Sequence, residues 1–420
     1  MFKKRVIYSI VSLLLLCLIL SGCGNSDASG SGDGKKIVLT YWDASWNKDK
    51  IGPKVIKEFE KENPNIKVNV QYFPVDGMED KFLLALKNKS GPDLVDIACD
   101  WTTPLAAVGG LLPLDDYIDK DKVDMNDFWK GALQTIHVNG KVYALPYRSE
   151  THGIFYNKDI FKQSGLDPSK APQTWEEVLA DAKTITQKGG VGFGLVGKNT
   201  GDLSYQVINF IRSFGGDVLS TDNKKSLLDQ PEAIAAVKYY VSLYKDKLSP
   251  SSTMSNTNTE ARNLFSSGKV GMYLSGVYDV DPIKSDNPNT NFGVGMYPDT
   301  PGKDRKLTLG GWNIAATSFT KHPEAAWKFV KFISSPKISV QYSNTFSSRK
   351  SEADNPKYKD PQVKPFAQML QYGVPLPAIP QITQIRQIIN DQVQKAMLGK
   401  ASVESAMKDA SKQVNELLNQ

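Results

Sequence analysis

Apolar positions along the chain follow two rhythms. Short β-branched and aromatic runs alternate with longer stretches in which apolar residues recur every three or four positions, the pattern of an α/β architecture. Ile37 to Tyr41 reads as a buried strand, and Pro53 opens a helix with Val55, Ile56 and Phe59 on one face, stopped by Asn63-Pro64. Ile66 to Tyr72 and Leu94 to Ile97 read as further strands. Thr174-Trp175-Glu176-Glu177 is a capping box, in which the Thr174 hydroxyl accepts the N3 amide and Glu177 reaches back to the cap; a helix through Ile185 follows. Pro323 starts a helix with Ala326, Phe329, Val330 and Ile333 inward. Two helices close the chain, Ile385 to Met397 and Val403 to Leu418, with Gly399 between them as a C-cap. The polar stretches Ser249 to Asn258 and Asp286 to Asn291 read as surface loops, and Asn344 to Lys359 as a crossover.

The first residues obey a different pattern. Lys3, Lys4 and Arg5 precede fifteen mostly apolar residues, Val6 to Leu20, and then Ser21-Gly22-Cys23. That run is short for a membrane span and suits a cleaved signal peptide better than an uncleaved signal anchor. Leu20-Ser21-Gly22-Cys23 resembles the bacterial lipoprotein lipobox, which implies residues 1–22 as signal peptide and Cys23 as a lipidated first residue. Residues 23–35 are expected to be a lipidated, flexible Gly/Ser/Asp tether with a reach on the order of 20 Å. No later run approaches eighteen apolar residues, so the folded part is expected outside the cytoplasmic membrane, held to it by lipid.

Length and charge narrow the function. Roughly 385 residues beyond the leader exceed one ordinary core, so two domains are expected. The net charge of +6 falls to +3 without Lys3, Lys4 and Arg5, too small an excess to argue for nucleic acid. Cys99 is the one cysteine left once Cys17 departs and Cys23 is acylated, so no internal disulfide is expected. His137, His152 and His322 lie far apart without a zinc motif; no metal or cofactor is expected. Gly192 to Gly197 fits GxGxxG, but a helix precedes it where a dinucleotide site needs a strand.

Several segments in order resemble the family 1 extracellular solute-binding proteins, the group that includes maltose-binding protein and serves carbohydrate ABC importers. They include Asn139-Gly140-Lys141-Val142-Tyr143-Ala144-Leu145-Pro146, Tyr156-Asn157-Lys158-Asp159, Pro92-Asp93-Leu94, Phe265-Ser266-Ser267-Gly268-Lys269 and Gly310-Gly311-Trp312. The resemblance implies two α/β lobes joined by hinge crossovers, with a ligand cleft between them. Lobe one would be 36–148 plus 311–354, and lobe two 149–310 plus 355–420. It further implies a non-enzymatic, monomeric receptor that captures a carbohydrate and delivers it to ABC permease subunits.

A sugar-binding cleft needs ring faces for C–H surfaces and charged or amide groups for hydroxyls. Trp42, Asp43 and Trp46 follow the first strand, and Asp100 and Trp101 follow the third, at strand ends where α/β sheets bind ligands. Trp42 equally suits the core, and Asp100 equally suits a helix cap. By resemblance, Glu150 on the first crossover is a sugar-reaching carboxylate. Tyr278 of Gly276-Val277-Tyr278-Asp279 stands where relatives usually place a Trp platform, with Asp279 beside it. Tyr205 and Asn209 fall in the lobe-two loop region, and Trp312 follows the second crossover. Arg386 occupies a position that is aromatic in maltose-binding protein, which argues against maltodextrin. Competing readings are a non-sugar solute (polyol, glycerophosphodiester or polyamine), a secreted glycoside hydrolase with paired carboxylates, and an adhesin.

Overall fold

The computed structural model describes residues 36–49, 51–75 and 77–420. The signal peptide, Cys23 and the tether lie outside the described residues. The main elements in chain order are β1 (Ile37–Ala44), α1 (Ile51–Glu62), β2 (Ile66–Phe73), α2 (Met78–Lys87), β3 (Leu94–Ala98), β4 (Leu145–Glu150), β5 (His152–Asn157), α3 (Trp175–Gln187), β6 (Phe193–Gly194), α4 (Gly201–Ser213), α5 (Pro231–Lys245), β7 (Met272–Gly276), β8 (Phe292–Met296), β9 (Leu307–Thr308), β10 (Gly310–Ala316), α6 (Pro323–Ile333), β11 (Phe346–Ser347), β12 (Gly373–Val374), α7 (Ile382–Met397) and α8 (Val403–Leu418).

Two sheets organise these elements. A six-stranded sheet has the order β11-β4-β10-β3-β1-β2, and a four-stranded sheet the order β8-β5-β7-β6. In the first, β1 runs parallel to β2 and β3, while β10 is antiparallel to β3 and β4. Each sheet is covered by helices and has its own core. Leu39, Tyr41, Phe59, Phe82, Ile97, Ile314 and Phe329 fill one; Phe155, Val207, Phe210, Tyr240, Leu274, Ile385 and Ile389 fill the other. Such complete burial contributes roughly 1.5 to 3 kcal/mol per large apolar side chain.

The chain passes between the sheets at three places. Thr151 alone separates β4 of the first sheet from β5 of the second, and its hydroxyl is fixed to the Phe366 carbonyl at 2.8 Å. Leu309 separates β9, which pairs with β12 in a two-stranded sheet of its own and packs Leu307 into the second core, from β10 of the first sheet, and the chain leaves the first sheet again after β11. Asn139 (φ 50°) and Gly140 (φ 78°) turn a small hairpin pairing His137–Val138 with Lys141–Val142, a turn that asks for these two residue types.

Several local expectations need correcting. The first helix begins at Ile51, two residues before Pro53, and α7 begins at Ile382 because Ile382 is buried on the same face as Ile385 and Ile389. At α3 the Glu177 amide donates to Thr174 Oγ1 at 3.2 Å, but the Glu177 carboxylate accepts from Gln173 N at 2.7 Å, one residue before the cap. The Ser249 to Asn258 stretch contains a 3-10 turn at Ser251–Ser255, and Asn344 to Lys359 contributes strand β11 to the first sheet.

Candidate functional site

Strand ends and the turns after them deliver the expected aromatic and charged residues to the region where the sheets meet. Trp46 sits in the 3-10 turn Ser45–Asn47 after β1 and is 37% exposed. Its ring packs edge-on against Trp312 of β10 with centroids 4.5 Å apart, and Trp312 in turn meets Trp101 at 5.4 Å. Trp312 and Trp101 are each only 5% exposed, so they brace Trp46 while Trp46 keeps a ring face for contact.

Arg148 and Glu150 are two apart on β4 and therefore share a face. Arg148 donates to Glu150 Oε2 from Nε at 2.9 Å and from Nη2 at 2.6 Å. Burial opposes the Arg148 charge, yet Glu150 prevails and holds its pKa above the usual value. The same guanidinium lies 5.0 Å from the Trp46 ring centroid and 5.8 Å from that of Tyr278, linking the two rings.

Across from Trp46 stand Tyr278, His152 and Tyr205. The Tyr278 hydroxyl and His152 Nε2 are hydrogen-bonded at 3.1 Å, and the His152 ring lies 4.9 Å from that of Tyr205. Tyr205 donates its hydroxyl to the Thr308 carbonyl at 3.2 Å. Burial pushes His152 down to about 3, so the imidazole is neutral at physiological pH. Glycines make this closeness possible. A Cβ on Gly310 would stand 2.8 Å from both Glu150 Cγ and Tyr205 Oη, and one on Gly276 would stand 2.2 Å from the Tyr278 ring.

Four expected residues belong elsewhere. Trp42 packs edge-on against Phe73 and at a tilt against Phe82, both at 5.1 Å, as part of the first core. Asp43 is fully buried and accepts from Ala44 N and Asn47 Nδ2, both at 2.8 Å, and from the Tyr342 hydroxyl at 2.6 Å. Asn209 Oδ1 accepts from Thr308 N at 2.6 Å and so fastens β9 to α4. Asp279 accepts from Ser275 Oγ at 2.6 Å and the Tyr273 hydroxyl at 3.1 Å, and burial pushes it up to about 6. Hydrogen bonding consumes these oxygens inside the lobes. We drop these four from the candidate set.

Asp100 and Arg386 take each other. Asp100 lies in the 3-10 turn Cys99–Trp101, makes no side-chain cap to the helix after it, and pairs with Arg386 of α7 at 2.5 Å. Beside that pair, Thr383 of α7 donates to Glu79 of α2. Among the described residues no group of three or more His, Cys, Asp and Glu is arranged to hold a metal ion.

The profile of the bacterial extracellular solute-binding protein family matches residues 44–339. The chain belongs to that family. A multiple sugar-binding protein of Streptococcus mutans is 27% identical to this solute-binding protein over 365 residues, 81% of this chain and 80% of the relative. A solute-binding protein of an ABC transporter from Thermotoga lettingae, bound with α-D-tagatose, superposes with a TM-score of 0.84 at 28% identity. That match covers 91% of this chain and 100% of the other. A maltose-bound protein of T. maritima gives 0.81 at 27% identity, over 91% and 100%. The two-lobed α/β architecture of this solute-binding protein is thus that of sugar-bound neighbours, and no helix among its described residues is long and apolar enough to cross a membrane.

Two residues of this solute-binding protein's candidate site escaped the sequence pattern. His152 carried only the negative argument against zinc, yet it supports Tyr278 and stacks near Tyr205. Arg148 has no role assigned to it from the sequence, whereas it organises Glu150, Trp46 and Tyr278 together. Both lie in the consecutive polar stretch Arg148-Ser149-Glu150-Thr151-His152 between buried apolar residues, a placement that is costly unless such groups find partners.

Proposed function

We propose that the chain is a non-enzymatic receptor that captures a sugar or short oligosaccharide between its lobes and delivers it to an ABC permease. Lobe one is residues 36–148 with 311–354, and lobe two is 149–310 with 355–420. The passage at Thr151, from β4 of the six-stranded sheet to β5 of the four-stranded sheet, supports that division to within two residues. The receptor acts as a monomer held to the outer face of the cell membrane by a lipid on Cys23.

One observation carries the reading: Trp46, Arg148, Glu150 and Tyr278 set two ring faces around one carboxylate–guanidinium pair where the sheets meet. A pyranose or furanose presents the matching surfaces, C–H faces for the rings and hydroxyls for the ion pair. The sugars in the names of relatives and in the structures of neighbours support the same class. Glu150 and Asp100 are each tied to an arginine. That suits fixed acceptors better than the proton-donating carboxyl of a glycosidase.

Isothermal titration against a panel of mono- and oligosaccharides tests this. With a ligand in hand, Glu150→Ala should weaken binding about tenfold to a hundredfold, since a charge-assisted hydrogen bond contributes roughly 1.5 to 3 kcal/mol. Trp46→Ala should weaken it by severalfold or more, with little change in melting temperature, because its face is exposed. Affinities within twofold of the parent for both variants would reject this cleft.

A further inference from the structure

A second set of bonds joins the lobes beside the ring cluster. Thr383 and Arg386 are three residues apart in the first turns of α7, so their side chains leave the same face of the helix. Thr383 Oγ1 donates to Glu79 Oε1, and Arg386 Nη1 donates to Asp100 Oδ2 at 2.5 Å. The two acceptors sit on elements of the first core, α2 with its Phe82 and Leu86 and the turn after β3; α7 is anchored in the second core through Ile385 and Ile389. Arg386 is braced on its own side as well, donating from Nε to Ser204 Oγ and from Nη2 to the Gly201 carbonyl, both at 3.2 Å.

We propose that the first turns of α7 are a clasp that draws the two lobes together, with Arg386–Asp100 as its ionic member and Thr383–Glu79 as its proton-sensitive member. The clasp goes beyond sugar capture. It sets the balance between open and closed forms on which any ligand then acts, and a ligand shifts that balance only by its own preference for one form. The side chains of Arg386 and Asp100 are only 14% and 12% exposed, so solvent and salt screen this pair far less than surface pairs such as Lys412–Glu416, at 77% and 62%.

The sensitivity to protons follows from what faces Glu79: Asp80 on its own helix, Asp100 from the turn after β3, and Arg386 and Thr383 from α7. Burial and the Asp100 charge push Glu79 up to about 7, against the pull of Arg386 and the Thr383 hydroxyl. When the lobes part, Glu79 returns to water and to the ordinary carboxyl range. The closed form therefore binds the proton more tightly, so acidification from pH 8 to pH 6 favours closure and alkalinisation opposes it.

Small-angle scattering of residues 36–420, which hold both cores whole, tests the clasp with no sugar added. The parent should be compact at pH 6 and widen by pH 8.5. The Thr383→Val/Arg386→Gln double variant should be wide at both, and Glu79→Gln compact at both. If circular dichroism finds the double variant unfolded, Asp100→Asn carries the same comparison with side-chain size kept. A double variant, or Asp100→Asn in its place, with the parent's radius at pH 6 overturns the clasp. A parent radius flat across this range, or widening equally in Glu79→Gln, overturns its proton-sensitive half. Since no sugar is present, failure here leaves the capture of sugar standing, and a chain that binds no sugar still returns a result for the clasp.

Discussion

Asp43 and Asp96 stand side by side on neighbouring parallel strands, because the register pairs Tyr41 with Leu94 and Trp42 with Val95, and both are 0% exposed. Two carboxylates cannot both stay charged there, since each is stripped of water and repels the other. Asp43 has neutral donors, Asn47, Ala44 N and the Tyr342 hydroxyl, whereas Asp96 has the Tyr147 hydroxyl and the more distant Arg148 charge to set against its burial. Burial first, then the Asp43 charge, push Asp96 well above the usual carboxyl range, and burial pushes Asp43 from 3.8 to about 6. A proton held between them resolves the conflict. The sign follows: folded values above unfolded ones stabilise the fold below about pH 4, and the gain is lost as pH rises through 6 and beyond. For Asp43 alone that loss is on the order of 3 kcal/mol. Urea melts at pH 5 and pH 8.5 should therefore show the parent weakening with pH. Asp96→Asn should flatten the profile and exceed the parent at pH 8.5. A parent midpoint that does not fall between these pH values would rule out the shared proton.

Among the elements, β10 lies between β3 and β4, and its close approach to β4 runs through Gly311. Its φ is +154°, and a Cβ there would stand 2.2 Å from the Arg148 carbonyl of β4. Gly311→Ala should push β10 away from β4, cost more than about 1 kcal/mol in a denaturant melt, and weaken sugar binding through displaced Arg148 and Trp312. Unchanged stability in that variant would show that the approach of the strands does not depend on this glycine. The elements that could be read beforehand are those with a clean local signal. Val403 to Leu418 is found as expected, because Val403, Ala406, Ala410 and Val414 repeat at helical spacing and Ser402 Oγ accepts from Ser405 N as a cap. The α6 face of Ala326, Phe329, Val330 and Ile333 is likewise buried. What failed was long-range. β1 runs on through Trp42 and Asp43 to Ala44, because Asp43 meets Asn47 and Tyr342, the latter 299 residues away, and a polar residue beyond Tyr41 read as a loop facing ligand. α4 buries Gln206, Asn209 and Arg212, with Arg212 bonding the Val374 and Pro375 carbonyls, a pairing that no local periodicity reveals.

At the scale of the whole molecule, two cores linked by three passages form a body that has no membrane-crossing helix among its described residues, yet its proposed task is to work beside a permease. In the proposed function, membrane attachment comes from the leader. The run Leu20-Ser21-Gly22-Cys23 offers one chemistry for it, a diacylglycerol on the Cys23 sulfur. Two acyl chains, at about 0.8 kcal/mol per buried CH₂, hold a protein against dilution and salt where one chain would not. The net excess of three positive charges left after Lys3, Lys4 and Arg5 are removed is too small to replace them, and whatever attraction it supplies is screened at high ionic strength. Changing Cys23 to Ala should consequently move the protein from the membrane fraction to the soluble extracytoplasmic fraction, with its melting temperature and its sugar affinity unchanged. A radiolabelled fatty acid should be incorporated by the parent and not by the variant. If Cys23→Ala still pellets with membranes after a high-salt wash, attachment runs through another part of the chain.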